Sequence, residues 1–168
     1  IFTRTKRTAQ KLAEELAERG FHVATVHGDL GQIAREKALD AFRDGTVDVL
    51  VATDVAARGI DVDDVTHVIN YQCPEDDKTY VHRIGRTGRA GHSGVAVTLV
   101  DWDDIPRWML IDKALDLGKG EPAETYHPSA NQYTDLDIDP DVTGEVGPAQ
   151  ELIGAPRRRG RSHSGHAG

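Results

Sequence analysis

Apolar and polar positions along the chain follow two alternating patterns. Short runs rich in valine, at residues 23–26 and 47–53, have the composition of β-strands, and a shorter apolar run opens the chain. Residues 5–20 and 32–43 instead place alanine, leucine and phenylalanine at helical spacing, and Gly20 and Gly45 are natural helix ends. The first fifty or so residues are therefore predicted to run strand, helix, strand, helix, strand.

The second half of the compact region continues this order. Strands are predicted near residues 65–70 and 94–100, and helices near residues 76–84 and 103–117. The run at residues 94–100 is almost entirely apolar, which is typical of a strand covered on both faces. Strands alternating with helices predict an α/β fold, doubly wound, with a mostly parallel sheet and helices on both faces. Ligands of such sheets gather beyond the carboxyl ends of the strands.

The character of the chain changes after residue 118. From residue 120 to residue 156 there are eight acidic residues and no lysine or arginine, so the net charge of -8 is largely local. This segment shows no helical or strand period and is dotted with proline and glycine. We therefore predict one domain at residues 1–118 and an extended or disordered tail at residues 119–168. Four arginines near the end could add a nonspecific phosphate contact: Arg157, Arg158, Arg159 and Arg161.

Composition excludes several classes of protein. The single cysteine, Cys73, excludes an internal disulfide framework and a cysteine-rich zinc site, and it predicts a reducing, cytoplasmic environment. No apolar run approaches the length of about 18 residues that a membrane span needs, so no membrane association is predicted. His22, His27 and His67 have no set of ligand-like partners, and no metal site is predicted.

The densest candidate chemistry lies at residues 82–89, HRIGRTGR, where three arginines are spaced three apart with no acidic residue between them. Guanidinium groups stay charged and present a rigid fork of donors, so such a cluster fits an anion with several oxygens, above all phosphate. The alternative is a solvated basic loop, or arginines paired with carboxylates such as Asp54 or Asp61.

Five motifs in order carry a resemblance to a known family. They are FTRTK at residues 2–6, HGDLGQIARE at 27–36, VLVATDVAARGID at 49–61, VINYQCP at 68–74 and YVHRIGRTGRAG at 80–91. Together they resemble the C-terminal, second RecA-like domain of DEAD-box ATP-dependent RNA helicases. His82 and the ARGID segment resemble the DEAD-box group more than DEAH-type helicases. The resemblance implies a RecA-like three-layer domain.

The same resemblance implies a nucleotide site shared between two domains. In this family ATP binds between two RecA-like domains, and Arg86 and Arg89 match the arginine fingers that reach the phosphates. Asp61 matches a position that contacts the ribose. His82 and Arg83 are also expected at the nucleotide site, where they help hold the arginine motif and couple it to neighbouring elements.

RNA contacts are expected at another edge of the domain. The matching positions meet the sugar-phosphate backbone and are Thr5, Gly28, Gln32, Arg35 and Thr53. Hydroxyls, backbone amides and one arginine hold phosphates without reading bases, so no sequence specificity is expected. Thr5 is equally a candidate helix N-cap, Thr53 a strand-end hydroxyl and Arg35 a helix-surface charge. Asp54 is expected to link the RNA-facing and ATP-facing motifs.

Two motifs of a complete helicase are absent. The sequence contains no G-x-x-x-x-G-K-[ST] loop and no Asp-Glu-Ala-Asp, so this chain alone is predicted not to hydrolyse ATP. ATP, with Mg²⁺, is expected to be held by a missing N-terminal RecA-like domain, and the abrupt start predicts a truncated fragment. The prediction is a second motor domain of an RNA helicase. The alternatives are a catalytically inactive RNA-binding or regulatory module and a DNA-directed superfamily 2 helicase domain.

Overall fold

The structure, a computed structural model, describes residues 1–58, 62–88, 91–125, 134–139 and 141–154. The described strands form one parallel sheet in the order β2-β3-β1-β4-β5, which confirms the predicted α/β class. The strands are β1 (Phe2–Thr3), β2 (Val23–Val26), β3 (Val49–Thr53), β4 (His67–Asn70) and β5 (Val95–Thr98). The helices are α1 (Lys6–Glu18), α2 (Gln32–Arg43), α3 (Asp54–Ala57), α4 (Asp77–Ile84) and α5 (Ile105–Leu115), the last preceded by a 3₁₀ turn at Trp102–Asp104.

Helices pack on both faces of β2 and β3, because successive strand residues point to opposite sides. Val23 and Val51 pack with the alanines of α1 in one buried cluster. Their neighbours Ala24 and Ala52 pack with Ala38 and other residues of α2 in a second cluster. For this reason β2 and β3 carry apolar residues on both faces, with Thr25 and Thr53 as their polar positions, and the three layers follow from this packing.

A third cluster joins α4 to α5. It contains Cys73, Tyr80, Trp108 and Ile111, all buried. The rings of Tyr80 and Trp108 meet edge to face, with their centroids 5.7 Å apart. This contact between α5 and α4 fixes α4 and thereby the start of the arginine motif.

One strand environment differs from the prediction. The apolar run at residues 94–100 forms β5, which lies at the end of the strand order, and Val95 is 45% exposed. The expectation of cover on both faces is therefore wrong for the described residues. An apolar run indicates a strand, but the position of that strand in the sheet depends on pairing that the run does not encode.

Part of the tail lies against the domain. Ile153 forms a parallel bridge with Ala24 on the outer edge of β2. Residues 126–133 and the arginine cluster after residue 154 lie outside the described residues, as does the predicted ribose contact Asp61. The boundary at residue 118 stays a prediction.

Candidate nucleotide and RNA interface

Arg83 is the centre of a buried polar network. Its side chain is 1% exposed, although it lies in the last turn of α4. Its Nε and Nη2 groups donate to the two carboxylate oxygens of Asp54, each at 2.7 Å. Its Nη1 group donates to the carbonyl of Gln72 at 2.9 Å and to the Asn70 side-chain oxygen at 3.3 Å. For Arg83 the structure thus shows the ion-pair alternative, and the buried guanidinium holds α4 to the ends of β3 and β4.

The position of Asp54 follows from its place in the chain. It comes directly after β3 and is the first residue of α3, whose N-terminus is capped by the hydroxyl of Thr53 accepting from the Ala56 amide at 3.4 Å. Thr53 is 6% exposed. The strand-end hydroxyl of Thr53 thus caps α3, and a contact to RNA through it stays a prediction.

Arg86 lies two residues beyond the end of α4. Its Nη2 group donates to the carbonyl of Ala57 at 3.4 Å, and its own carbonyl accepts from the Val65 amide at 3.2 Å. The side chain is half-buried beside the end of α3. Arg89 and Asp61, the other predicted nucleotide contacts, lie outside the described residues, and His82 is exposed on α4.

Four of the predicted RNA contacts lie at the carboxyl edge of the sheet. Thr5 is exposed and caps α1 by accepting from the Thr8 amide at 3.1 Å. Gly28 is exposed, and a Cβ atom built there would meet nothing within 4 Å. Gln32 begins α2 and is exposed, and Arg35, one turn later, donates to the carbonyl of Arg58 at 3.1 Å. The ends of β1, β2 and β3 thus bring these residues to one edge.

His27 organises the loop between β2 and α2. It is 5% exposed, and its Nδ1 atom accepts from the Asp29 amide at 3.2 Å. Because Nδ1 is an acceptor, the proton lies on Nε2, which donates to the side-chain oxygen of Gln10 at 2.9 Å. Burial lowers the pKa of His27, with a smaller lowering by Lys6 and an opposing rise from Asp29. A neutral imidazole therefore holds the loop that carries Gly28.

Sequence reasoning missed Arg4 as a connector. Its amide donates to the side-chain oxygen of Gln72 at 2.7 Å, and its Nε and Nη2 groups donate to the carbonyl of Cys73 at 3.0 and 2.8 Å. Its Nη2 group also lies 2.8 Å from a carboxylate oxygen of Asp104, ahead of α5. The signal was present, because Arg4 is inside the FTRTK motif directly after β1, but its partners are about 70 or more residues away along the chain.

No group of three or more histidine, cysteine, aspartate or glutamate side chains within the described residues could hold a metal ion. Cys73 is a buried free cysteine, and burial raises the pKa of its thiol. A search of the described helices finds none long and apolar enough to span a membrane.

Comparisons with known proteins agree with the motifs. Residues 1–91 match the family described as the helicase conserved C-terminal domain. The ATP-dependent RNA helicase CshA of Limosilactobacillus reuteri is 55% identical over 113 residues, which cover 67% of this chain and 23% of that protein. The ATP-dependent RNA helicase DeaD of Mycobacterium tuberculosis is 51% identical over 114 residues, which cover 68% of this chain and 20% of that protein.

A solved structure gives the same result for the fold. The E. coli DEAD-box protein SrmB is 39% identical with a TM-score of 0.67, over 75% of this chain and 73% of that chain. This chain spans about a fifth to a quarter of the length of the two curated relatives. The family match, the identities and the shared fold lead to one assignment: the chain belongs to the helicase conserved C-terminal domain family, as a second RecA-like domain of the DEAD-box type.

Proposed function

We propose that this domain is the second motor domain of an ATP-dependent RNA helicase, which binds the RNA backbone and supplies Arg86 and Arg89 to ATP held by an N-terminal RecA-like domain. One observation carries the proposal. The buried Arg83 ties α4, which leads into the arginine motif, to Asp54 at the end of β3 and to Gln72 beyond β4. The edge expected to meet RNA and the motif expected to meet ATP are thus one connected unit.

The nucleotide side of the proposal depends on positive charge brought to a transferring phosphoryl group. Arg86 lies just beyond α4, its backbone carbonyl accepts from the Val65 amide, and its side chain donates to the carbonyl of Ala57. An arginine finger raises the rate of phosphoryl transfer by about 10³–10⁵. Asp61 would accept from the ribose, and His82 would lie at the rim of the site. Mg²⁺ would be held with the phosphates by the first domain, since no described cluster of this domain suits a metal.

The RNA side of the proposal uses backbone contacts. The exposed Gly28 permits close approach of a phosphate to the main chain, and the start of α2 adds Gln32 and Arg35. Thr5 offers a hydroxyl at the start of α1, and Thr53 one at the start of α3. Such groups hold phosphates without reading base edges, so one domain serves RNAs of many sequences.

The proposed cycle joins the two sides. ATP closes the two domains, both grip one strand and bend it, and a short duplex separates. Hydrolysis then reopens the domains and releases the RNA. Arg83 would act here as a positioning residue, because a shift of α4 on phosphate binding moves Asp54 and the strand ends with it.

The test joins this domain to the first domain of a DEAD-box helicase and measures ATP hydrolysis with and without RNA. We expect Arg86→Ala and Arg89→Ala each to lower kcat by roughly a thousandfold or more. Arg43→Ala is the matched control, since Arg43 ends α2 at the opposite edge of the sheet, and it should leave kcat unchanged. Full kcat in both finger variants would contradict the proposal.

Two further measurements separate the alternatives. A joined protein that binds RNA but never hydrolyses ATP would be an inactive regulatory module. Equal stimulation of hydrolysis by single-stranded DNA and RNA of one sequence without thymine or uracil would indicate a DNA-directed domain, because only the 2′-hydroxyl then distinguishes the two. The proposal requires hydrolysis that RNA stimulates at least about tenfold more than DNA does.

A further inference from the structure

The outer edge of β2 is occupied by residues 141–154 of the same chain, a segment called here the strap. The Thr25 amide donates to the carbonyl of Ile153 at 3.0 Å, and the Ile153 amide donates to the carbonyl of Val23 at 3.2 Å. The pairing is parallel. The strap therefore extends the sheet by strand addition, the mode by which sheet edges recognise extended peptides.

The same segment satisfies the end of α1. The last carbonyls of a helix have no donors within the helix. The Gln150 amide donates to the carbonyl of Ala17 at 2.8 Å, and the Val146 amide donates to the carbonyl of Arg19 at 2.9 Å. Gly20 permits this approach, because a Cβ atom there would lie 2.6 Å from the carbonyl oxygen of Gly147. The contact is made by main chain on both sides.

Side chains complete the fit. Leu152 packs with the buried cluster beside α1, and Ile153 packs with the buried cluster beside α2. Two consecutive residues thus straddle the sheet edge, as in a strand. Gly154 follows with a φ of +89°, and a Cβ atom there would collide with the Thr25 carbonyl and lie 3.5 Å from Leu30. The strap ends against the loop that carries Gly28.

We propose that the β2 edge and the end of α1 form a docking site for an extended peptide, and that the strap of this same chain is its occupant. A peptide that fits this site places main-chain amides against the end of α1 and a leucine-isoleucine pair across the edge of the sheet. It has a glycine directly after that pair. An uncovered strand edge is a template for pairing with other chains, and a tethered segment covers it at an effective concentration of the order of mM. This inference does not depend on the proposed helicase function.

A competition experiment with the full chain tests the site. The probe is a fluorescent peptide with the sequence of residues 141–154, and binding is followed by anisotropy. In the double variant Leu152→Asp with Ile153→Asp the tethered strap should leave the site, since two carboxylates would otherwise lie partly buried against the two apolar clusters. We expect the peptide to bind this variant at least tenfold more tightly than the parent chain. Equal affinity for both chains, or no binding to either, would overturn the proposal.

A milder pair of variants keeps the test independent of the folding of the double variant. Gly154→Ala places a methyl group against the Thr25 carbonyl, whereas Gly147→Ala in the same strap places one where nothing lies within 4 Å. Hydrogen exchange at the Thr25 and Gln150 amides should be at least tenfold faster in Gly154→Ala than in Gly147→Ala. Equal exchange would contradict the proposal, and protection that rises with protein concentration would show that the strap comes from a second copy instead.

Discussion

The guanidinium of Arg83 and the carboxylate of Asp54 form a two-bond ion pair, with both nitrogen-oxygen distances at 2.7 Å. The Arg83 side chain is 1% exposed and the Asp54 side chain 31% exposed, so the carboxylate lies between the buried guanidinium and the solvent. It connects residues 29 positions apart. Since Asp54 starts α3 and Arg83 lies in the last turn of α4, this pair sets how the arginine motif lies relative to the strand ends.

Removing one partner of this pair should destabilise the domain strongly. Asp54→Ala leaves a buried guanidinium without its carboxylate, and loss of one partner in a buried pair costs about 3–5 kcal/mol. We expect that loss in the free energy of unfolding, measured with urea. Lys6→Ala is the control, because Lys6 pairs with Asp29 at 2.8 Å with both side chains more than half exposed, and solvent screens such a pair so that its loss changes stability far less. Similar losses in both variants would contradict the buried role of Arg83.

The sequence predicted the strands of the sheet, but it left this ion pair as only one of the alternatives for the arginines. The strands of the sheet were predictable because short aliphatic runs such as residues 49–52 are apolar on both faces. The charge of Arg83 was equally visible, but its pairing with Asp54 depends on β3 and β4 lying on either side of β1, which is a tertiary fact. Likewise, Ile153 docks on Ala24 from a segment whose composition shows no strand period.

The neutral state of His27 predicts a dependence of stability on pH. Burial is the main cause that lowers the pKa of His27 below its ordinary value of 6.5. The folded domain thus favours the neutral imidazole, and the unfolded chain binds the proton more readily. The stabilisation is fully present above pH 6.5 and is lost as the pH falls from there through the lowered folded value.

The measurement compares the unfolding free energy of the parent with that of His27→Asn between pH 8 and pH 5. Asparagine keeps an acceptor near the Asp29 amide but does not titrate in this range. The stability advantage of the parent should shrink on acidification. The protection factor of the Asp29 amide, which bonds to Nδ1 at 3.2 Å, should fall in the parent alone. A constant difference across this range would show that His27 does not titrate with unfolding.

Cys73 should be nearly inert while the domain is folded. The side chain is buried in the cluster with Tyr80 and Trp108, and burial raises the pKa of the thiol, with Asp104 as a second cause. Thiol reagents need an accessible thiolate. We expect reaction with a chromogenic disulfide at pH 8 to be at least about tenfold slower in buffer than in denaturing urea. Equal rates would mean that the cluster of α4 and α5 opens readily.

Phosphate contacts make the proposed RNA binding salt dependent, and Arg35 provides a residue-level test. Each neutralised phosphate of a single strand contributes a slope of about −0.7 to the plot of log affinity against log salt concentration. Arg35→Ala in the protein joined to its first domain should therefore weaken binding at low salt and flatten the slope by about 0.7. Arg43→Ala removes the same charge from the other end of α2 and should leave the slope unchanged. If both variants flatten the slope equally, the effect is one of net charge alone. Arg35, whose Nη2 group donates to the Arg58 carbonyl at 3.1 Å, then serves only to connect α2 to the end of α3.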